Sequence, residues 1–435
     1  MTQVKPPQEL SAPQRNAPPP PQASPESAGQ VSGGPSMGRL VGLDLARALA
    51  VFGMYIVHIA PMDSPQGSVG SWVYFLAEGR SSALFATLAG FSLMLIAGRR
   101  EPKAGLAGRQ AKARIAIRAV ILLALGTVLA MEYGDIIILA YYGVYFLLAL
   151  LLVRLSARTL ALIAAGIALV MPQLAFVLKM WLSDSVQQTV NAYDPLERLS
   201  TVGVLDLLLT GLYPTITWMA FVTTGMALAR LDLSAPVVRR RLAVLGAGLA
   251  TAAYGLATLL TGASAVWNVG AGGGPSSGSG RGSMGSGYAV SGSMGGGSAV
   301  SGPMGSAPGG PELSAADLLG AVSHTGTTFD TIGCAGIAIL VIVAATAAMD
   351  RLPLLRRLAK PVIAVGTMSL TVYVGHFLAQ SAWPASGAGT TTSWVPVLTY
   401  ILTAIVFATI WSRFFRRGPL EYLLNAATKP AKYIR

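Results

Sequence analysis

The chain is poor in charge, in cysteine and in histidine. Of its 435 residues only 11% are charged, one is cysteine and three are histidine. A soluble globular domain carries about 25% charged residues. That shortage, with 53% hydrophobic residues and a mean hydropathy of +0.59, excludes an ordinary aqueous fold. The chain reads as a polytopic membrane protein. A single cysteine, Cys334, excludes an intramolecular disulfide and any CxxC metal site. It lies within an apolar span and reads as a small core residue. No signal-peptide pattern precedes the first apolar stretch, which begins near Leu40.

The charge that is present is lopsided, at +13. Nucleic acid is not the expected partner, because the basic residues fall in short clusters between apolar spans, facing membrane lipids. Ten apolar spans are predicted, near 41–60, 80–98, 114–131, 136–153, 159–182, 205–229, 242–262, 330–349, 361–382 and 394–412. Each approaches the ~20 residues a helix needs to cross the hydrocarbon. Alternate loops are basic, holding Arg99 to Arg114, Arg154 and Arg158, Arg230 to Arg241, and Arg351 to Lys360. The others carry most of the acids, among them Glu78, Asp135, Asp194, Glu197, Asp206, Asp317 and Asp330. The positive-inside rule then puts both termini in the cytoplasm of a cell-membrane protein. The expected fold is an all-α membrane helix bundle of about ten transmembrane helices. Its expected segments are a disordered tail (1–37), helices one to seven (38–262), an extracytoplasmic loop (263–328), helices eight to ten (329–414) and a basic tail (415–435). The loop includes a Gly/Ser-rich stretch, about 268–311, with an imperfect ten-residue repeat.

This topology brings His58, His324 and His376 to one outer edge of the bundle. Histidine titrates nearest neutral pH and is costly in lipid without a partner or a task. In the first span Asp44 and Arg47 form an i,i+3 pair. His58 lies eleven residues beyond Arg47, about 20° off the same face and roughly 16 Å along the axis. The ninth span carries a polar stripe, Gly366, Ser369, Tyr373, His376 and Gln380. That stripe reads either as interhelical hydrogen bonding or as part of a site. His324 and Asp330 are close enough in sequence for the carboxylate to orient the imidazole. Arg80, at the outer start of the second span, either holds an anionic substrate group or snorkels to the interface. Tyr141, Tyr142 and Tyr145 read as packing aromatics, and Tyr213-Pro214 as a kink that frees a carbonyl. A zinc site on the three histidines lacks any spaced ligand motif.

Five stretches together resemble a known family: RLVGLDLARALAVFGMYIVH (39–58), EGRSSALFATLAGFSL (78–93), SHTGTTFDTIGCAGIAIL (323–340), GTMSLTVYVGH (366–376) and RRGPLE (416–421). They resemble bacterial YeiB-like membrane proteins of unassigned function. Those are related to the catalytic domain of heparan-alpha-glucosaminide N-acetyltransferase and, more distantly, to the acyltransferase-3 family. The resemblance implies a transmembrane acyltransferase that takes an acyl group, expected to be acetyl, from cytosolic acyl-CoA (acetyl-CoA) as co-substrate, with no tightly bound cofactor. The implied acceptor is extracytoplasmic, a sugar, glycan or other small molecule. His58 closes an LDxxR…H pattern as in the acyltransferase-3 enzymes, and YVGH ending at His376 matches the lysosomal family's late span. Both are catalytic candidates, with His324 beside them.

Acyl transfer from a thioester needs a base or an acyl-carrying nucleophile, and histidine serves as either. It also needs donors to the developing oxyanion, for which Arg80, Tyr373 and Ser369 are candidates. Asp44, Arg47 and Asp330 complete the expected substrate-binding set, Arg47 toward CoA. A transporter or flippase of a polar or lipid-linked solute is the competing reading, with His, Asp and Arg as a proton relay; a non-enzymatic sensor is the third. Oligomeric state stays open, a homodimer included.

Overall fold

A computed structural model describes residues 1–2, 41–61, 67–262, 314–383 and 393–434. The expected tail, apart from Met1 and Thr2, and the Gly/Ser-rich stretch lie outside the described residues. The chain divides into two units, Met1–Arg39 and Leu40–Arg435, and every helix among the described residues belongs to the second. No strand occurs among the described residues.

The bundle begins with α1 (Val41–Ile59), α2 (Val69–Ala77), α3 (Arg80–Ala97), α4 (Gly105–Tyr133), α5 (Ile138–Leu152) and α6 (Ala157–Trp181). Two short helices, α7 (Asp184–Tyr193) and α8 (Pro195–Ser200), precede α9 (Thr215–Arg230) and α10 (Pro236–Thr261). Then come α11 (Thr328–Arg351), α12 (Pro353–Leu358), α13 (Lys360–Thr367), α14 (Ser369–Ala382), α15 (Val395–Phe414) and α16 (Pro419–Ala427). Each of the ten predicted apolar spans falls largely on helix, the sixth and the ninth with a break. Seven helical stretches among the described residues are long and apolar enough to cross a membrane, and there are eight if the bent pair α13–α14 counts as one span. α5 and α9, with 15 and 16 residues, are shorter than the ~20 that a full crossing takes. The predicted sixth span is cut because Gly211 to Pro214 is not helical, so α9 starts only at Thr215.

Small residues let the central helices touch. Lipid tails are as apolar as leucine, so helices in a membrane associate by close packing rather than by escape from water. A Cβ on Gly90 of α3 would stand 2.0 Å from the Val222 carbonyl oxygen of α9; one on Gly225 would stand 1.8 Å from that of Thr87. The two backbones are therefore in contact. The outward face of α15 instead presents Leu398, Leu402, Val406 and Ile410, all exposed, as a lipid-facing surface requires. At one end of the bundle Arg230 ties three segments together. Its guanidinium donates to the carbonyls of Val153 (2.6 Å), Leu155 (3.2 Å) and Arg99. These are chain-reversal carbonyls that no helix satisfies.

The predicted ninth span is not one helix. α13 and α14 meet at Met368, whose φ of −128° and ψ of 38° are not helical, and their axes bend by 85°. The freed N-terminus of α14 is capped from α16. Glu421 accepts from the Leu370 amide (2.8 Å), the Thr371 amide (3.2 Å) and the Thr371 hydroxyl (2.5 Å). A carboxylate at a helix N-terminus satisfies orphan N–H groups and the positive end of the dipole together.

Candidate functional site

α1 and α14 deliver two of the three histidines to one point. His58 sits in the last turn of α1, and His376 is buried midway along α14. His58 Nδ1 lies 2.9 Å from His376 Nε2, and the rings stack at 5.2 Å between centroids. The pair is held from several sides. The Tyr55 hydroxyl donates to the Val372 carbonyl at 2.8 Å, and its ring lies 4.7 Å from His376. The Gln380 amide donates to the His58 carbonyl at 3.4 Å. The Tyr133 hydroxyl donates to the Phe377 carbonyl at 2.8 Å, and the Phe377 ring packs on both imidazoles.

These contacts set the tautomers. His376 Nδ1 contacts the Tyr373 carbonyl. A carbonyl only accepts, so Nδ1 carries the hydrogen and, in a neutral ring, Nε2 is left as an acceptor. His58 Nδ1 must then be the donor between the rings. This leaves the basic lone pair of His58 on Nε2, which has no hydrogen-bond partner among the described residues.

The other predicted residues separate by location. Tyr373 lies in the same wall as His376, but its hydroxyl accepts from the Ile138 amide at 3.3 Å. Ser369 lies at the break of the ninth span, two turns and roughly 10 Å of helix from His376. The stripe expected on one continuous face therefore ends at the bend: Gly366 belongs to α13 and packs against Asp44. Asp44 and Arg47 are paired at 2.6 Å, and Arg47 also donates to Ser92 at 2.9 Å. This ion pair lies far down α1 from His58.

A second cluster surrounds the third histidine. Arg80 is buried and donates through one nitrogen to the carbonyls of Phe75 (2.7 Å) and Glu78 (3.0 Å) and to the Ser323 hydroxyl (3.3 Å). Its guanidinium also stands over the Phe75 ring, 4.0 Å from the centroid. The snorkelling alternative fails, because this side chain is enclosed. The expected pairing of His324 with Asp330 does not form. Asp330 accepts from the Gly326 amide (3.3 Å) and the Cys334 thiol (3.3 Å). His324 adopts a left-handed φ of 65°, and its ring stacks on Trp218 and meets Tyr213 edge-on. Its Nδ1 is sealed from solvent without a partner. Burial pushes the His324 imidazole down to about 4; the Leu212 carbonyl opposes this and the Arg80 charge adds to it.

Cys334 is buried, as a core residue should be. Tyr141, Tyr142 and Tyr145 are buried too, and the Tyr145 hydroxyl donates to the Tyr213 carbonyl in the non-helical stretch before α9. Among the described residues no group of three His, Cys, Asp or Glu side chains converges on a metal position. The sequence reading overlooked Tyr55, Phe377 and the cap made by Glu421. A lone acid in a basic C-terminal stretch was the available signal for Glu421.

An all-α bundle with several helices long and apolar enough to cross a membrane, holding a pair of imidazoles in contact, is that of a multi-pass membrane protein. A family model described as heparan-alpha-glucosaminide N-acetyltransferase, catalytic, matches residues 39–262, just over half of the chain, and the chain belongs to that family. A second model, described as a protein of unknown function (DUF418), matches residues 311–430. His58 falls in the first match and His376 in the second, so the imidazole pair joins the two. No curated protein matches the chain.

Proposed function

We propose that this protein is a cell-membrane acetyltransferase with both termini cytoplasmic. It moves an acetyl group from acetyl-CoA to an extracytoplasmic acceptor, a sugar or glycan hydroxyl or amine, with His58 as the reacting base. The 2.9 Å contact between His58 Nδ1 and His376 Nε2 carries this reading. It leaves His58 Nε2 as an oriented lone pair, held by a neighbour whose own tautomer is held by a backbone carbonyl. The order resembles nucleophile–base–orienter arrangements, with an imidazole in the orienting place.

The transfer balances in either of two sequences. In direct transfer, His58 Nε2 removes the proton from the acceptor as its oxygen or nitrogen attacks the thioester carbonyl. The C–S bond breaks, and the proton passes from His58 to the departing CoA sulfur. In the two-step form, His58 Nε2 attacks the carbonyl and CoA leaves as the thiol after protonation. The acceptor then attacks the acyl-imidazole and its proton is released. In both, Nδ1–H of the charged His58 donates to His376 Nε2, which stabilises the positive ring. His324, Arg80 and Asp330 flank the acceptor side in this reading, and Tyr373 helps shape the wall. Arg47, neutralised by Asp44, is left as a structural group, and Ser369 has no role near the reacting atoms.

The bend between α13 and α14 supports a second reading. Discontinuous helices line the solute sites of many transporters. The test is transfer of label from acetyl-CoA, with the acetyl group labelled, in the purified full chain. Label on protein or acceptor, or acetyl-CoA hydrolysis, that is lost in His58→Ala supports the acetyltransferase. Neither transfer nor hydrolysis, together with proton-coupled solute uptake into liposomes, supports the transporter.

A further inference from the structure

Most of the enclosed arginines in this bundle are compensated. Arg47 has Asp44 and Ser92, Arg80 has two carbonyls and Ser323, and Arg230 has three carbonyls. Arg118 of α4 is different. It is half-buried, and its Nε, like those of Arg99 and Arg239, is sealed from solvent with no hydrogen-bond partner, but those two have Asp232 and Asp350 to offset their charge. The charges that act on it are both positive, those of Arg417 and Arg114. The ion pairs formed elsewhere among the described residues, Arg47–Asp44, Arg100–Asp232 and Arg239–Asp350, use none of the three.

The fold forces this crowding. Arg114 and Arg118 are four residues apart and so share one face of α4, about 6 Å apart along the axis. The C-terminal segment packs on that part of α4: α16 and the following turn lie against it, and the Gln110 amide donates to the carbonyls of Lys432 (3.1 Å) and Ile434 (3.3 Å). Arg417 enters in the turn before α16. The nearest acid in sequence, Glu421, has both oxygens engaged on the N-terminus of α14. Like charges brought together are unfavourable, more so where one is partly withdrawn from water. An anion between them would reverse the sign of the interaction.

We infer that Arg114, Arg118 and Arg417 form a binding site for a phosphate group, presented between α4 and the turn before α16. Three guanidiniums suit a phosphate, whose oxygens accept from several planar forks at once. Two sources carry this chemistry at a membrane surface: an anionic phospholipid headgroup and the 3′-phosphate of CoA. The second source rests on the acetyltransferase reading; the first does not.

The experiment uses the full chain purified in detergent, as wild type, as the single variant Arg417→Gln and as the triple variant Arg114→Gln/Arg118→Gln/Arg417→Gln. Binding of CoA is compared with that of dephospho-CoA, which lacks the 3′-phosphate. Binding to phosphatidylcholine bilayers is compared with and without phosphatidylglycerol. Wild type is expected to favour the phosphate-bearing member of at least one pair by about tenfold or more, the loss of one charge-assisted contact. The triple variant loses that preference, and Arg417→Gln loses part of it. Removal of repelling charge leaves thermal stability without ligand unchanged or raised, which separates lost binding from lost folding. A preference confined to the lipid pair, with no CoA binding, keeps the phosphate site and counts against the acetyltransferase reading. Acetyl transfer in a triple variant that retains every wild-type preference keeps that reading and overturns the site. No preference in wild type overturns the site as well.

Discussion

α1 and the pair α13–α14 each bring a histidine to the same point, by opposite means. α1 is continuous from Val41 to Ile59, so the place of His58 follows from the helix itself once the first turn is anchored. α14 begins inside the protein after an 85° bend, and its first turn has no preceding helix to satisfy it. Its position depends on groups from elsewhere: Glu421 at the N-terminus, Tyr55 at the Val372 carbonyl and Tyr133 at the Phe377 carbonyl. A continuous helix transmits position along its own hydrogen bonds. A broken one must be given its position by neighbours, and those neighbours become part of the site.

The largest expected effect tests the proposed division of labour between the two histidines. His58→Ala should lower acetyl transfer by about 10²–10⁴-fold, the usual worth of a positioned base. His376→Phe removes the hydrogen bond to the charged His58 ring, worth ~1.5–3 kcal/mol, together with the contact to the Tyr373 carbonyl. A loss of about 10- to 100-fold in kcat is expected, with KM for acetyl-CoA little changed. Equal losses in both variants would reject the unequal roles, and a larger loss in His376→Phe would exchange them.

The bend offers the next two tests. Gly366 presses on the first helix so closely that a Cβ there would stand 1.7 Å from the Asp44 carbonyl oxygen. Gly366→Ala should destabilise by about 1–3 kcal/mol or more, as overpacked sites do, read as a lower Tm. Glu421→Ala removes the cap of α14 and should cost about 1–2 kcal/mol. It should also lower kcat, because His376 rides on the uncapped helix. If Glu421→Ala changes Tm but leaves kcat at the wild-type value, α14 is positioned by Tyr55 and Tyr133 alone.

Much of this was legible from residue type and spacing. The apolar segments fall on helix because length and hydropathy are properties of the local chain. The Asp44–Arg47 pair followed from i,i+3 geometry, and the meeting of His58 with His376 from assigning both to one membrane edge. The bend at Met368 was not legible: Val365 to Val372 has no proline, and the contacts that accompany it, Asp44 against Gly366 and Glu421 on the first turn of α14, come from segments distant in sequence. For the same reason Ser369 was assigned to a stripe that the bend interrupts. The His324–Asp330 pairing failed because short sequence separation does not fix ring direction. A left-handed residue turns the imidazole onto Trp218, while the first turn of α11 gives the carboxylate nearer donors in Gly326 and Cys334.

The smallest expected effect separates His324 from the imidazole pair. In the folded protein its imidazole is pushed down to about 4, chiefly by burial, whereas the unfolded chain has a value of ~6.5. Between these two values the unfolded state binds more protons than the folded one, so stability rises with pH there. Seen from neutral pH, the contribution is complete above ~6.5 and is lost progressively as pH falls toward about 4. His324→Phe keeps an aromatic ring against Trp218 but has no proton to bind. The difference in Tm between wild type and His324→Phe should therefore shift in favour of the variant by a few degrees across that window and stay flat above it. A pH-independent difference would mean that His324 reaches water freely in the folded protein, and would remove it from the buried cluster against Trp218 and Tyr213.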